Sequence, residues 1–401
     1  LEDINPGPED SLISNVYVAD DLLFFRAYRP TFGSEPWRSD ATSTGTFMIQ
    51  DLRPGFNESS TPAAFHQFGS EVFFSASDGL TTGIFRTMGA PGDILLVKEA
   101  FSLWNNEISS AGGFLFLSGS EVGPLGGDKE LWATSGPPYT IDLLKDINLG
   151  SIGSYPEELT TVGNRLYFRA YSGSGEALWQ SDGTPLGTAM RGPANSFPDT
   201  LTSVSGKLFT QAWDAAHGVE VWAVDSTAVT VVDICPEACD GGGGGFAQVG
   251  GLAYFRSLGD RTELTGAELW GSDGVSAWKV KEIGPGSRPA YISHITDFDG
   301  TVFYFIASDE VHGLELWRSD GTGPGTFMVR DINPAGDGMN NVNSEIIVAG
   351  DNVFFSADNG TDGFELWHTD GTESGTQMVI DLNPAPGGHS YPGNLSPVSY
   401  T

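Results

Sequence analysis

The chain is predicted to be all-β, an eight-bladed β-propeller of four-stranded antiparallel blades, and three observations predict it. First, an aromatic residue recurs at Trp37, Phe85, Trp132, Trp179, Trp222, Trp270, Trp317 and Trp367, at steps of 43 to 50 residues, the mark of one supersecondary unit copied along the chain. Second, 54 Gly and 23 Pro punctuate short alternating runs rich in Phe, Tyr, Val and Thr, and no helical period persists for three turns. Third, both faces of the central strands of the unit are apolar, so each sheet must be sandwiched between others.

Residues 342–383 display the unit most clearly. Ser344–Val348 form a first strand (a), and Gly350-Asp351-Asn352 turn it into Val353–Ala357 (b). The acidic loop Asp358–Gly363 leads to Phe364–His368 (c), and the turn Asp370–Thr376 feeds Gln377–Leu382 (d), which Asn383-Pro384 ends. Turns every 8 to 12 residues between strands of about five describe an antiparallel meander. Phe354 and Phe355 point to opposite faces, as do Leu366 and Trp367. Radial stacking buries both faces and leaves only short edges. The aromatic of strand c is therefore expected to anchor one blade on its neighbour, with Leu or its equivalent on the other face.

The whole chain, 1–401, is read as one domain with repeats at about 12–55, 56–103, 104–152, 153–195, 196–240, 241–288, 289–336 and 337–385. Partial repeats 1–11 and 386–401 are expected to close it. Asp3-Ile4-Asn5-Pro6 matches Asp331-Ile332-Asn333-Pro334, the tail of a unit, and Tyr391–Val398 matches its opening at Tyr155–Val162. Eight units need 32 strands and the two ends raise that to 34, which leaves surplus edge strands, a rudimentary ninth blade or a longer array as alternatives.

Nineteen Lys+Arg against 52 Asp+Glu leave a formal charge of −33, which repels phosphate backbones and anionic lipid and excludes nucleic acid as a partner. No apolar run reaches 18 residues, so no transmembrane helix or membrane insertion is expected. A secretion signal is not seen, and the opening in mid-repeat fits the removal of an upstream segment. The two cysteines, Cys235 and Cys239, are spaced for a small local disulfide, with free thiols or a metal site as alternatives; a disulfide fits an oxidising, exported location. Sequons at Asn57, Asn359 and Asn394 arise by chance at this length.

The segments Glu315-Leu316-Trp317-Arg318-Ser319-Asp320-Gly321-Thr322 and Glu365-Leu366-Trp367-His368-Thr369-Asp370-Gly371-Thr372 resemble the bacterial ELWxxDGT-repeat proteins, as do Ala177–Thr188 and, more loosely, Glu35–Thr46. The resemblance implies an exported, surface-associated protein and carries no catalytic residues to transfer. The Asp-Gly-Thr turn is also similar in position to the aspartate boxes of sialidase-like propellers. Its own chemistry assigns it a structural role, with Gly at positive φ and the Asp and Thr side chains satisfying backbone donors.

In such a blade the a–b and c–d turns share one face, and the b–c and d–a loops share the other. Length varies on the second face, at Tyr28–Ser34, Ser118–Lys129, Tyr171–Glu176, Trp213–Val219 and Ser257–Ala267, which makes it the expected binding face. There strand d ends in an acid, Asp3, Asp51, Glu99, Asp146, Asp233, Glu282, Asp331 or Asp381. Asp51, Asp146, Asp233, Asp331 and Asp381 are candidate Ca²⁺ ligands, Ca²⁺ being the one candidate cofactor; the alternative is that each Asp caps the following turn. Glu35, Glu130, Glu220, Glu268, Glu315 and Glu365, two residues before the aromatic, are expected to hold backbone or neighbouring-blade donors. Arg26, Arg169 and Arg256 share one position on strand b and are expected in interblade ion pairs. The six histidines, 66, 217, 294, 312, 368 and 389, show no metal spacing, and His217 and His312 share a His-Gly turn context. No nucleophile elbow, phosphate loop or zinc motif occurs.

These readings lead to a noncatalytic, exported propeller that binds or assembles protein or glycan at a cell surface, within a larger assembly or longer chain. The alternatives are a carbohydrate-active enzyme, sialidase-like or lyase-like, and a calcium-stabilised adhesion array.

Overall fold

The computed structural model describes residues 2–7, 10–122, 127–150, 152–236, 239–259, 266–286, 288–340, 344–385, 387–393 and 395. Among them are 32 strands in eight four-stranded antiparallel sheets, and no helix. The chain is an eight-bladed β-propeller by its sheets, each a meander in the order a-b-c-d. Blade one runs through Ser14–Ala19, Leu22–Arg29, Gly33–Ser39 and Phe47–Met48, and the others span 63–98, 101–145, 157–190, 199–232, 243–281, 293–328 and 346–380. Contacts divide the chain into two compact units, Leu1–Asn195 with blades one to four and Ser196–Thr401 with blades five to eight.

The strand boundaries of the last unit follow the residue pattern closely. Strand b is Asn352–Asp358, c is Phe364–Thr369 and d is Gln377–Ile380; strand a is Ile346–Ala349, two residues later than the pattern suggests. Register places Phe355 opposite Trp367 and Ser356 opposite Leu366. The alternation puts Leu366 and Trp367 on opposite faces of the sheet, with Trp367 toward blade seven. Trp179 lies with Leu131, Leu144 and Ile147 of blade three. Trp317 lies with Leu269, Val280 and Ile283 of blade six, and Trp367 with Leu316, Val329 and Ile332 of blade seven. Phe85 meets Ile49 and Leu52 of blade one. Trp132 and Trp270 likewise pack on the blade before their own, whereas Trp37 packs on Phe25 and Ala27 of its own blade and on Ile4.

The indole nitrogen takes no part in it. Nε1 of Trp37, Trp179, Trp222, Trp270, Trp317 and Trp367 is buried without a hydrogen-bond partner, whereas Trp132 donates to Gly119 O at 2.9 Å. A buried donor left unpaired costs stability, so the position selects ring area and shape, and Phe85 supplies both.

Scarce cations are spent on the same seams. Lys145 Nζ of blade three donates to Thr188 O of blade four at 2.6 Å, Lys281 of blade six to Thr326 O of blade seven at 2.6 Å, and Arg330 of blade seven to Thr376 O of blade eight at 2.5 Å. Lys145 also lies 5.9 Å over the Trp179 ring and Arg330 5.9 Å over Trp367, close enough for cation–π attraction.

Strand a carries a bulge that no residue pattern announces. Register slips between Ser14 and Tyr17, Ala63 and His66, Glu157 and Thr160, Asp199 and Thr202, Gly244 and Ala247, and Ser293 and Thr296. The residue after the first of each pair has positive φ: Asn15, Ala64, Glu158, Thr200, Gly245 and His294. Such bulges bend the strand and re-aim the side chain beside them.

The chain ends depart from the 34-strand expectation, because their described residues form no strand. Ile4 instead packs on Phe25, Ala27 and Trp37 of blade one, where the end of a preceding strand d packs elsewhere. Leu395 N donates to Glu345 Oε2 at 2.8 Å, as Leu159 N does to Glu107 Oε2 at 3.2 Å. Asn394 and 396–401 lie outside the described residues.

Candidate ligand-binding face

The glutamate two residues before six of the eight aromatics is the clasp of the d–a loop. Glu35 accepts from Leu52 N and Ser60 N, Glu130 from Ile147 N and Ser154 N, Glu220 from Ile234 N and Gly241 N, and Glu365 from Leu382 N and Ser390 N, all between 2.8 and 3.1 Å. Glu268 accepts from Ile283 N at 2.6 Å and Glu315 from Asn333 N at 3.1 Å. All six are buried, at most 2% exposed. Burial pushes the carboxyls of Glu35 and Glu130 up against the downward pull of these donors, and pushes Glu220 and Glu268 to about 7 and Glu315 to about 8. The expected backbone-holding role is the observed one.

The acids ending strand d share the closing of the following turn with other side chains. Asp51 accepts from Arg53 N, but the loops are closed mainly by the asparagine two residues on. Asn148 Nδ2 donates to Ile152 O at 2.8 Å, Asn333 Nδ2 to Asp337 O at 3.1 Å and Asn383 Nδ2 to His389 O at 3.2 Å. With Glu and Asn occupying the loop donors and acceptors, one buried oxygen of Asp51, Asp331 and Asp381 has no hydrogen-bond partner. Of the five candidate metal ligands, Asp146 alone joins a trio, with Asp128 and Glu130, whose oxygens lie within 4.8 Å of one another. Asp51, Asp233, Asp331 and Asp381 join none among the described residues. With one oxygen from each, three carboxylates supply half or fewer of the six to eight oxygens Ca²⁺ takes.

Cys235 and Cys239 are disulfide-bonded, with Cα atoms 5.7 Å apart, inside the loop that Glu220 holds through Cys235 N. His217 and His312 close b–c turns, bonding Asp214 at 2.9 Å and Asp309 at 2.8 Å.

On the opposite face the Asp-Gly-Thr turn is held by its own side chains. Asp320 Oδ1 accepts from Thr322 N at 2.9 Å and Thr322 Oγ1 at 2.7 Å, Gly325 N donates to Thr322 Oγ1 at 3.1 Å, and Thr326 Oγ1 donates to Thr322 O at 2.6 Å. The same pattern holds at Asp40, Asp182 and Asp370. These bonds, led by the threonine hydroxyl, pull the four aspartates below the ordinary carboxylate range. The last glycine is dictated by the aspartate: a Cβ on Gly325 would sit 2.0 Å from Asp320 Oδ1. Gly325→Ala is expected to cost about 1–3 kcal/mol in denaturant unfolding. Combined with Asp320→Ala it should cost clearly less than the sum of the two; strict additivity would refute the contact.

The arginines do not form the interblade pairs expected of them. Arg169 is held within its own blade by Glu157 at 2.6 Å, Glu158 at 3.5 Å and Glu176 at 3.6 Å. Arg26 donates to Ser14 Oγ at 3.0 Å, and Arg256 is exposed with no ion pair among the described residues. The position lies opposite the start of strand a: Arg26 faces Ser14, Arg169 faces Glu157, and Arg256 faces Gly244.

Two cavities open beside these arginines on the b–c/d–a face. In the first unit a cavity of about 380 Å³ is lined by Tyr155, Glu157, Arg169, Tyr171 and Glu176. Tyr155 and Tyr171 are 39% and 48% exposed, and Trp104 of blade three meets Tyr155 edge-on at 5.0 Å while donating Nε1 to Glu157 at 2.8 Å. Neither Trp104 nor Tyr155 was among the residues singled out from sequence as site candidates; Trp104 interrupts a strand a that elsewhere lacks tryptophan, and that was the available signal. In the second unit a cavity of about 440 Å³ is lined by Asp199, Gln211, Asp240, Gly242 to Gly244, Arg256 and Leu258. Three of the five variable loops, at Tyr171–Glu176, Trp213–Val219 and Ser257–Ala267, contribute to these walls.

No family model matches the chain, and no curated protein does. Solved structures similar to it include the β-propeller domain of the Trilobed protease from Pyrococcus furiosus, at 11% identity over 80% of this chain and 98% of that one, TM-score 0.39. A Mycobacterium tuberculosis puromycin-hydrolyzing peptidase is 12% identical over 92% of this chain and 52% of its own, TM-score 0.43. The Niastella koreensis GH74 enzyme is 12% identical over 95% and 68%, TM-score 0.39. At these identities and scores the likenesses carry no argument about activity.

Proposed function

We propose that the chain is a noncatalytic, exported β-propeller of the ELWxxDGT-repeat kind that binds protein or glycan at a cell surface through its b–c/d–a face. The observation that supports this most is the contrast between the two faces. One repeats an Asp-Gly-Thr turn whose Asp and Thr side chains bond within the turn itself. The other varies in loop length and opens cavities of about 380 and 440 Å³, within the range of small-ligand sites, roughly 300–1,000 Å³. Exposed tyrosines beside charged groups are the usual anchors of recognition surfaces. A carbohydrate-active enzyme is less well supported: one guanidinium, Arg169, gathers three carboxylates, whereas glycoside hydrolysis keeps one carboxyl protonated as an acid.

The test is binding of the purified chain to cell-envelope protein and polysaccharide fractions by biolayer interferometry. Tyr155→Ala with Tyr171→Ala should weaken it about tenfold or more. Leu186→Ala, at a residue 96% exposed in a turn of the opposite face, should leave it unchanged; the reverse outcome would sink the face assignment. A calcium-stabilised array is the second reading, favoured by the Asp128, Glu130 and Asp146 trio. It requires millimolar Ca²⁺ to raise the thermal midpoint, and Asp146→Asn to abolish that rise.

A further inference from the structure

One register position, followed through blades four, five and six, carries a divided ion pair. In blade four the residue starting strand a, Glu157, faces Arg169 on strand b and pairs with it at 2.6 Å. In blade five the same position has Asp199 facing the neutral Gln211. In blade six it has Gly244 facing Arg256. The acid and the base that blade four joins are thus separated in the second unit, and both line the 440 Å³ cavity. Neither forms an ion pair among the described residues. Asp240, the other acid of the wall, is engaged: its Oδ1 accepts from Val219 N at 3.0 Å. A wall of three glycines, Gly242 to Gly244, faces the same space. A Cβ on Gly244 would come 3.9 Å from Arg256 Nε, so glycine there leaves the flank of the guanidinium clear and lets another main chain approach closely.

We propose that this cavity binds a small zwitterionic ligand, a short peptide whose carboxylate pairs with Arg256 and whose ammonium pairs with Asp199, its backbone lying along the glycine wall. Arg is suited to the carboxylate because its planar fork matches it in two hydrogen bonds. A polyanion is disfavoured by the formal charge of −33, while a zwitterion adds no net charge. This assignment rests on reading the b–c/d–a face as the binding face, and it names the chemistry of one cavity there.

The experiment uses triglycine, N-acetyl-triglycine and triglycine amide, titrated into the full chain and followed by calorimetry or NMR shifts. Triglycine should bind at least about tenfold more tightly than either blocked form. Arg256→Gln should abolish the preference for triglycine over its amide, and Asp199→Asn the preference over the acetylated form. Equal binding of the three, unchanged preferences in the variants, or tighter binding of glucuronate than of triglycine would each overturn the proposal. Failure here with envelope binding still lost in the Tyr155 and Tyr171 variant removes the zwitterion site alone. Failure in both experiments removes the binding-face reading as well.

Discussion

Replacing Trp317 with alanine is expected to lower the unfolding free energy by about 3–5 kcal/mol, the range for emptying a large aromatic site in a packed core. Trp317 is 6% exposed and is wedged between Phe305 of its own strand pair, 6.4 Å between ring centroids, and Leu269, Val280 and Ile283 of the preceding blade. Leu269 and Val280 sit on strands tied by ladder hydrogen bonds, so they cannot collapse into the void and the cavity cost is added to the lost burial. Trp317→Phe should cost far less. Phenylalanine already fills this place at Phe85, and the indole Nε1 it removes donates to nothing. Urea unfolding followed by circular dichroism separates the two variants. Equal losses for alanine and phenylalanine would show that the polar atom matters, against the reading of the position as an apolar anchor.

Stability is expected to fall as pH rises from about 5 to about 8. Glu220, Glu268 and Glu315 begin near 4.5 in the unfolded chain and are held at about 7, 7 and 8 in the fold, chiefly by burial. A raised folded value means that the fold keeps protons the unfolded chain releases, so their stabilisation is complete below about 4.5 and is lost as pH climbs through 7 to 8. A displacement of this size is worth on the order of 3 kcal/mol per carboxyl at the alkaline end. The turn aspartates act in the other direction: Asp182, Asp320 and Asp370 lie below their ordinary value because threonine hydroxyls donate to them, and their contribution fades as pH falls below about 4. Glu315→Gln, whose carbonyl can keep the bond from Asn333 N, should flatten the decline between pH 6 and 8. A stability that climbs over that interval would contradict the buried-carboxyl account.

How much of this was legible beforehand differs from element to element. The glutamate clasp was readable because a charged residue recurs between two apolar positions on a strand that must be buried, and a buried charge needs donors. The Asp-Gly-Thr turn was readable because its bonds are local, within four residues. The arginines were misjudged because their partners depend on what lies opposite in the register: Glu157, Ser14 or Gly244. The small share of the strand-d aspartates in closing the loop was hidden for a similar reason, since the loop N–H groups are claimed by a glutamate more than a dozen residues away and its carbonyls by Asn148 or Asn333 nearby. The bulge in strand a left no trace in composition, since Asn, Ala, Glu, Thr, Gly and His all occupy its positive-φ position.

The amino-acid order by itself determined the number of blades, the four-strand meander, the turn chemistry and the aromatic seam. Each of these rests on short-range spacing, strand alternation and the need to bury two apolar faces. Tertiary structure alone decided where charge is left over. Whether Arg169 is satisfied within its blade while Arg256 and Asp199 stand apart across a cavity depends on cross-strand register and on the packing of one blade against the next. Those are distances between residues remote in sequence, and periodicity carries no measure of them.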